Sequence, residues 1–309
     1  MVYMRYSRFK KCGRERVTMT DSATNLSYLL RRPSARTTSV VFASPHSGRK
    51  YPASFLRKIV LDEMQVRSSE DAFVDDLFGS AVDHGAPLLL AQSPRAYLDL
   101  NRGPDELDPA VIQGVRRIAH NPRIASGLGV IPRVVSNGRA IYNGKLTLSE
   151  AHERISSVWR PYHDTLQTLM DEAHADFGEA ILVDCHSMPH EALEYVGPPG
   201  ATRPDVVLGD RFGAAAASSV VERIEAAFAS AGFKVARNMP FAGAYICQHY
   251  GRPSRRHHAV QIEIDRSIYM NESQITPNAT FKAFKTALDG VIAEIAEIGR
   301  PAELRVAAE

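Results

Sequence analysis

Short apolar runs alternate along the chain with longer segments in which apolar residues recur every three or four positions. The short runs predict buried strands, and the longer spacing predicts helices packed on a sheet. The predicted strands are 38–43, 87–91, 181–184, 205–209, 233–236 and 259–264, with 93–102 as a further strand or extended loop. The predicted helices are 55–64, 68–84, 148–177, 212–231 and 281–298, the third of them kinked or split at Pro161, and 240–251 is expected to be a loop. This alternation predicts an α/β fold with a mixed, mostly parallel central sheet and helices on both faces.

Composition restricts the class of protein. The chain has 309 residues, of which 44% are hydrophobic and 23% charged, as in ordinary globular proteins. A net charge of +2 gives no general attraction to nucleic acid. No apolar run approaches the roughly 20 residues of a membrane span. Three widely spaced cysteines fit a reducing compartment. We therefore expect a cytoplasmic protein without a nucleic-acid or membrane partner.

The first twenty residues differ from the rest of the chain. They carry six basic side chains before position 17 and no apolar segment of the kind that a secretory signal contains. We expect residues 1–20 to be a basic, disordered tail and residues 21–309 to form a single domain.

Two predicted strands run into a histidine. His46 follows the first strand within Ser-Pro-His-Ser-Gly, and His186 follows the third within Asp-Cys-His-Ser. Ligand sites in parallel sheets lie at the carboxyl ends of the strands, so the two side chains are expected to meet there. Zinc in catalytic sites often takes two histidines and one carboxylate. Glu70 and Asp71 are the candidate acids, although capping of the following helix explains them equally well.

A late strand carries two further acids. Alternation along the strand puts Glu263 and Asp265 on one face and the neighbouring isoleucines on the other. A carboxylate in this position is suited to act as a general base for a metal-activated water. The alternative is a structural ion pair, for example between Asp265 and Arg266. Two acids on a buried strand are costly unless they are paired or functional, which favours a function.

Three arginines lie in proline-rich loops away from charged helix faces. Arg95, Arg102 and Arg133 have the planar donor groups that bind carboxylates, so they indicate an acidic substrate. For each arginine alone, a solvated surface position is the better interpretation. Tyr245, in the glycine-containing stretch 240–251, is a further candidate that would close the pocket.

Five motifs together resemble the N-formylglutamate amidohydrolase family. They are Ser-Pro-His-Ser-Gly (44–48), Glu-Asp-Ala-Phe-Val-Asp (70–75), Asp-Leu-Asn-Arg (99–102), Val-Asp-Cys-His-Ser-Met-Pro (183–189) and Ile-Glu-Ile-Asp-Arg (262–266). The resemblance covers about 38–290. It implies a zinc carboxypeptidase/aspartoacylase-like (phosphorylase-hydrolase-like) fold with one Zn²⁺ held by two histidines and an acid. It also implies a late-strand glutamate as base and Asn101 and Arg102 as groups that bind the substrate carboxylate.

The chain departs from that wider fold at one position. Carboxypeptidases and aspartoacylases carry a glutamate three residues after the first histidine, and here Arg49 stands there. The acid must come from elsewhere in the chain, and the family pattern favours Asp71 over Glu70.

These interpretations combine into one functional hypothesis. His46, Asp71 and His186 bind zinc, Glu263 is the base, and Arg95 stabilises the oxyanion. Asn101, Arg102, Arg133 and Tyr245 contact the substrate. The predicted activity is hydrolysis of the N-formyl amide of an acidic amino acid. The alternatives are a hydrolase of other N-acyl amino acids, a metallocarboxypeptidase, or a binding protein that keeps the metal pocket without turnover.

Overall fold

The computed structural model describes residues 27–116, 121–194 and 203–301. The strands are β1 (Tyr28–Arg31), β2 (Val40–Ser44), β3 (Leu88–Ala91), β4 (Ala180–Met188), β5 (Val206–Gly209), β6 (Val235–Arg237), β7 (His257–Asp265), β8 (Met270–Asn271) and β9 (Thr276–Pro277). The helices are α1 (Ala53–Leu56), α2 (Glu63–Arg67), α3 (Val74–Leu77), α4 (Pro122–Ala125), α5 (Leu148–Arg154), α6 (Arg160–Phe177), α7 (Ser218–Ser230), α8 (Tyr245–Tyr250) and α9 (Phe281–Ile298). The tail predicted for 1–20 lies outside the described residues.

Seven strands form one sheet in the order β1-β3-β2-β4-β7-β5-β6. The strands β3, β2, β4 and β7 run parallel to one another. At the edges, β1 is antiparallel to β3, and β5 is antiparallel to β7 with β6 parallel to β5. The predicted mixed, mostly parallel sheet is confirmed. Its parallel centre directs the carboxyl ends of β2, β4 and β7 to the same edge.

The central strands are buried on both faces, which explains their continuous apolar sequence. Val183 and Ile262 point into a core shared with α7 and α9. Leu182 and Ala259, which lie an odd number of residues away on the same strands, point into a second core shared with α6. Helices therefore cover both faces, as expected. None of the helices in the described ranges combines the length and the apolar content that crossing a bilayer requires.

Two helices predicted near His46 have different bounds in the structure. The segment 55–64 is divided between α1 and α2, because Asp62 caps a new helix by accepting a hydrogen bond from the Gln65 amide (2.8 Å). The helix predicted from position 68 begins only at Val74, since Phe73 has a left-handed backbone with φ of 68°. The residues before it form a loop, and the Asp71 amide donates to the His46 carbonyl. This loop directs Asp71 toward the histidines.

Other predicted elements also differ from the structure, in part because of a proline and of residues with positive φ. The 148–177 helix is split, as predicted: a π-helical segment, Ile155–Trp159, separates α5 from α6 just before Pro161. The helix predicted from position 212 begins at Ser218, because Phe212 and Gly213 both have positive φ. Residues 93–102 form turns rather than a strand. The stretch 240–251, expected as a loop, contains α8.

Candidate metal centre

Three predicted ligands come together at the carboxyl edge of the sheet. His46 lies in the loop after β2, His186 lies within β4 two residues before its end, and Asp71 lies in the loop before α3. Their ligand atoms all lie within 4.8 Å of one another. Each residue is at most 2% exposed, so the cluster is held by packing and by internal hydrogen bonds.

The hydrogen bonds of His46 leave one ring nitrogen free. Its Nε2 lies 2.7 Å from Asp99 Oδ1, and a carboxylate there accepts the Nε2 proton. The Nδ1 atom is buried, has no hydrogen-bond partner in the described part of the chain, and lies 3.5 Å from Asp71 Oδ2. The ring therefore presents a lone pair toward Asp71.

His186 is arranged in a related but different way. Its Nε2 lies 3.0 Å from Asp184 Oδ1, without hydrogen-bond geometry, and 3.1 Å from Asn101 Nδ2, and its Nδ1 is hydrogen-bonded to Asp71 Oδ2 at 2.9 Å. Both rings thus turn Nε2 toward an acid and Nδ1 toward one oxygen of Asp71. Histidines that ligate metals commonly have their second nitrogen held by a carboxylate in this way. Two imidazole nitrogens and one carboxylate oxygen are a donor set that fits Zn²⁺.

Of the two candidate acids, only Asp71 reaches the histidines. Glu70 points away, accepts the Tyr51 hydroxyl at 2.6 Å and pairs with Arg67 Nε at 3.2 Å. The second oxygen of Asp71, Oδ1, accepts from Arg266 at 3.0 Å. Arg266 therefore fixes the carboxylate so that Oδ2 alone faces the two rings.

The acids and histidines of the cluster shift one another's pKa values. Burial raises the pKa of Asp71, but the hydrogen bond from His186 and the nearby ring of His46 outweigh it and hold the pKa well below its usual value. Burial lowers the pKa of His186, but Asp184 and Asp71 outweigh it and hold the pKa well above its usual value.

Glu263 lies beside His186 because the two residues are register partners in β4 and β7. Its Oε1 accepts a hydrogen bond from Gln261 at 2.7 Å. Burial raises the pKa of Glu263 to about 7, although the positive charge on His186 opposes the shift. The other acid of that strand, Asp265, pairs with His190 at 2.7 Å and not with Arg266, so the ion pair considered from the sequence is wrong.

Of the three predicted arginines, Arg95 adjoins the cluster, whereas Arg102 and Arg133 are bound to other parts of the chain. Arg95 donates from Nε to Asp99 at 2.9 Å and stays about a quarter exposed, so it adjoins the cluster with its terminal nitrogens available. Arg102 is anchored through Nε on the Leu128 carbonyl. Arg133 pairs with Asp108 and the Ala125 carbonyl, and within the described ranges it makes no contact with the histidines.

Asn101 and Tyr245 are less accessible than the sequence indicates. The Asn101 amide group donates to Asp184 at 3.2 Å, and its oxygen accepts from the Ile246 amide at 2.8 Å. Tyr245 packs beside Trp159 and reaches His249 with its hydroxyl. Asn101 Nδ2 also lies 3.1 Å from His186 Nε2, so Asn101 connects α8 to the second histidine. Tyr245 makes no bond to the three candidate ligands within the described part of the chain.

Sequence reasoning missed three residues that support the ligands. Asp99 stands in the Asp-Leu-Asn-Arg motif, two residues before Asn101, and this position could have indicated that it belongs to the site. Gln261 is two positions before Glu263 on the same strand face, so alternation could have found it. Arg266 contacts Asp71 across 195 positions of sequence, and no local signal predicts that contact.

The loops of His46 and Arg95 are packed directly on each other. Gly48, in the His46 motif, lies so close to the Ser93 carbonyl that a Cβ atom would come within 2.0 Å of its oxygen. The Lys50 amide donates to the Gln92 carbonyl at 2.9 Å nearby. Only glycine allows this approach, which brings Arg95 and Asp99 to His46.

Comparison with known proteins assigns the chain to a family. The family model for N-formylglutamate amidohydrolase matches residues 38–270, which contain all three candidate ligands and Glu263. The chain belongs to the N-formylglutamate amidohydrolase family. It is 30% identical to N-formylglutamate deformylase of Pseudomonas putida over 239 residues, 76% of this chain and 83% of the relative.

Two further relatives of the family cover still more of the chain. N-formylglutamate deformylase of Pseudomonas aeruginosa is 30% identical over 264 residues, 84% of this chain and 91% of the relative. The crystal structure of N-formylglutamate amidohydrolase from Ralstonia eutropha JMP134 superposes with a TM-score of 0.83 at 34% identity, covering 89% of this chain and 98% of that one.

Proposed function

We propose that this chain is a zinc-dependent amidohydrolase that converts N-formyl-L-glutamate and water into formate and L-glutamate. The observation that carries the proposal is the pair of buried histidines whose Nδ1 atoms face one oxygen of Asp71, with an acid beside each Nε2 atom. The family membership and the two curated relatives supply the substrate class.

In this proposal His46, Asp71 and His186 hold the metal. Zinc in such a site supplies a Lewis acid that polarises the amide carbonyl and makes water acidic enough to react near neutral pH. Asp99 fixes the tautomer of the His46 ring, so that its Nδ1 keeps a lone pair, and Asp184 lies beside Nε2 of His186. Arg266 prevents Asp71 from rotating away from the rings.

Glu263 is the group that moves the proton. It lies beside His186, one of its oxygens is held by Gln261, and the other is left for a reacting water. As a carboxylate it accepts the proton of the attacking water, and it then returns that proton to the nitrogen of the leaving amine. The products are formate and the free amino group, and Glu263 returns to its carboxylate form.

The arginines bind the charged parts of the substrate. The terminal nitrogens of Arg95 are free to stabilise the negative charge that develops on the carbonyl oxygen. Arg102 uses Nε and Nη1 on backbone carbonyls, which leaves Nη2 for the α-carboxylate. The position of Asn101 favours a supporting role at His186 over substrate contact.

The test is an assay of formate release with metal analysis of the same preparation. The purified protein is expected to contain about one zinc per chain and to hydrolyse N-formyl-L-glutamate faster than N-acetyl-L-glutamate. Removal of the metal with a chelator should abolish turnover, and added Zn²⁺ should restore it. Full activity in a protein freed of metal would refute the zinc dependence.

A further inference from the structure

Trp159, the only tryptophan of the chain, lies at the junction between α5 and α6. It ends the π-helical segment Ile155–Trp159, in which the Arg160 amide donates to the Ile155 carbonyl five positions back. Pro161 follows and has no N–H with which to restore the α-helical pattern at this point. Segments of this kind are rare and recur at functional sites. The position of the indole is therefore set by a departure from regular helix.

The indole of Trp159 is joined to the Asp-Leu-Asn-Arg motif. Its Nε1 donates to the Arg102 carbonyl at 2.9 Å. His163, four positions on, stacks on the indole at a centroid distance of 4.0 Å, and its Nε2 donates to the Leu100 carbonyl at 2.9 Å. Two stacked rings at the start of α6 therefore hold the carbonyls on either side of Asn101.

The orientation of Arg102 depends on Trp159 more than that of Asn101 does. The Asn101 side chain is bound at both ends, because it donates to Asp184 at 3.2 Å and accepts from an amide of α8 at 2.8 Å. The Arg102 side chain is bound only to main chain, through Nη1 to the Asn101 carbonyl at 2.8 Å and through Nε to the Leu128 carbonyl at 2.9 Å. The direction of its Nη2 therefore follows from the backbone that Trp159 holds.

Trp159 contributes less to the core than its neighbours do. It is only partly buried, whereas Val158 and Tyr162 are fully buried. An indole N–H that is removed from water needs a hydrogen-bond partner, and here the partner is the Arg102 carbonyl. The position of this donor, more than the burial of apolar area, distinguishes tryptophan from another aromatic residue at this place.

We propose that Trp159 is a positioning residue that holds Arg102 in the orientation that binds the α-carboxylate of the substrate. This role rests on the proposed function, in which Nη2 of Arg102 contacts that carboxylate. Loss of the indole donor lets the backbone at Arg102 relax, so the guanidinium group binds the carboxylate less well while the candidate metal ligands and Glu263 stay in place. The effect should therefore appear in KM and not in kcat or in zinc content.

Because the chain has one tryptophan, expression in a tryptophan auxotroph supplied with the benzothiophene analogue of tryptophan changes position 159 alone. The analogue has sulfur in place of the indole N–H, so it keeps the shape and the stacking and removes only the donor. KM for N-formyl-L-glutamate is expected to rise by about three- to tenfold, with kcat within about twofold of the wild type. KM for N-formyl-γ-aminobutanoate, which lacks the α-carboxylate, should stay within about twofold.

A double-mutant cycle checks that the effect passes through Arg102. Trp159→Phe should raise KM for N-formyl-L-glutamate in the wild type, but by less than about twofold in an Arg102→Gln background. Tyr162→Phe is the matched control, because it removes a hydroxyl of the same helix that has no hydrogen-bond partner among the described residues. Its KM should stay within about twofold of the wild type. An equal rise of KM in both backgrounds, or for both substrates, would overturn the proposal.

Calorimetry with L-glutamate separates this inference from the proposed activity, since it requires no turnover. The protein with the benzothiophene analogue should bind L-glutamate about three- to tenfold more weakly than the wild type, with γ-aminobutanoate bound equally by both. That result supports the positioning role even if N-formyl-L-glutamate is not hydrolysed. Equal binding of L-glutamate by both proteins, or binding by neither, contradicts the role, while formate release by the wild type would leave the activity itself intact.

Discussion

His186 and His163 are both buried histidines, yet their surroundings are opposite. His186 lies between Asp71 and Asp184, which hold its pKa well above the usual value although burial lowers it. His163 is enclosed by aromatic rings, with Trp159 stacked at a centroid distance of 4.0 Å, and burial lowers its pKa to about 3. Burial alone makes a histidine neutral and structural. Acids around both ring nitrogens indicate a site built to hold positive charge.

The two regions also differ in whether the ring nitrogens have hydrogen-bond partners. His163 satisfies both of its nitrogens within the protein, through the Leu100 carbonyl and the Tyr250 hydroxyl, each at 2.9 Å. Among the described residues, His46 Nδ1 has no hydrogen-bond partner. A buried polar atom without a partner is costly unless a ligand completes it. The aromatic region around His163 therefore satisfies both nitrogens of that ring as folded, whereas the ring of His46 keeps one nitrogen for the cation proposed above.

The largest expected effect is that of replacing His186 by Ala. Loss of one ligand should remove the metal from the purified protein and lower kcat/KM by roughly a thousandfold or more, because the Lewis acid is lost. Metal analysis and the formate assay check both results. His163→Gln is the matched control in the aromatic region and should keep its zinc; equal loss of metal from both variants would contradict the distinction.

Glu263→Gln should leave the metal in place and remove only the proton transfer. The amide keeps the shape of the side chain, so zinc content should match the wild type while kcat falls by about 10² to 10⁴. A wild-type kcat in this variant would show that another group acts as the base.

Asp99→Asn tests whether the acids around the rings matter for the metal. Asp99 accepts from His46 Nε2, and burial raises its pKa less than Arg95 and His46 lower it, so it is charged in the fold. The neutral amide should weaken zinc affinity by about 10- to 100-fold, measured by competition with a chelator. Unchanged affinity would show that the hydrogen bond is only structural.

His163 predicts an acid-sensitive contribution to stability. Its folded pKa, about 3, lies below its unfolded value of about 6.5, so protons bind the unfolded chain preferentially. The contribution is complete above about pH 6.5 and is lost as the pH falls toward 3. Between pH 7 and 5 the free energy of unfolding should fall by about 2 kcal/mol more in the wild type than in His163→Gln, as measured by urea titration at each pH.

The smallest expected effect is that of Arg133→Gln. Arg133 is bound to Asp108 and the Ala125 carbonyl, and it is about a third exposed, so its loss should change KM by less than about twofold. A tenfold rise in KM for N-formyl-L-glutamate would restore Arg133 as a substrate-binding residue. Arg102→Gln, measured in parallel, should give the larger rise.

Strand patterns predicted the parts of the site that depend on local sequence. The apolar runs before His46 and His186 placed both at the same edge, and alternation placed Glu263 on the polar face. The sequence left Glu70 and Asp71 as alternatives, because the choice depends on the left-handed turn at Phe73 and on the loop contact with His46. Arg266 was missed because its partner lies in a distant segment that only the folded sheet brings near.

The contact between Gly48 and the Ser93 carbonyl restricts how this enzyme can diverge. A side chain at position 48 would push apart the loops that carry His46 and Arg95, so a change in either loop requires a compensating change in the other. Selection for a different acyl amino acid should therefore leave the glycine unchanged.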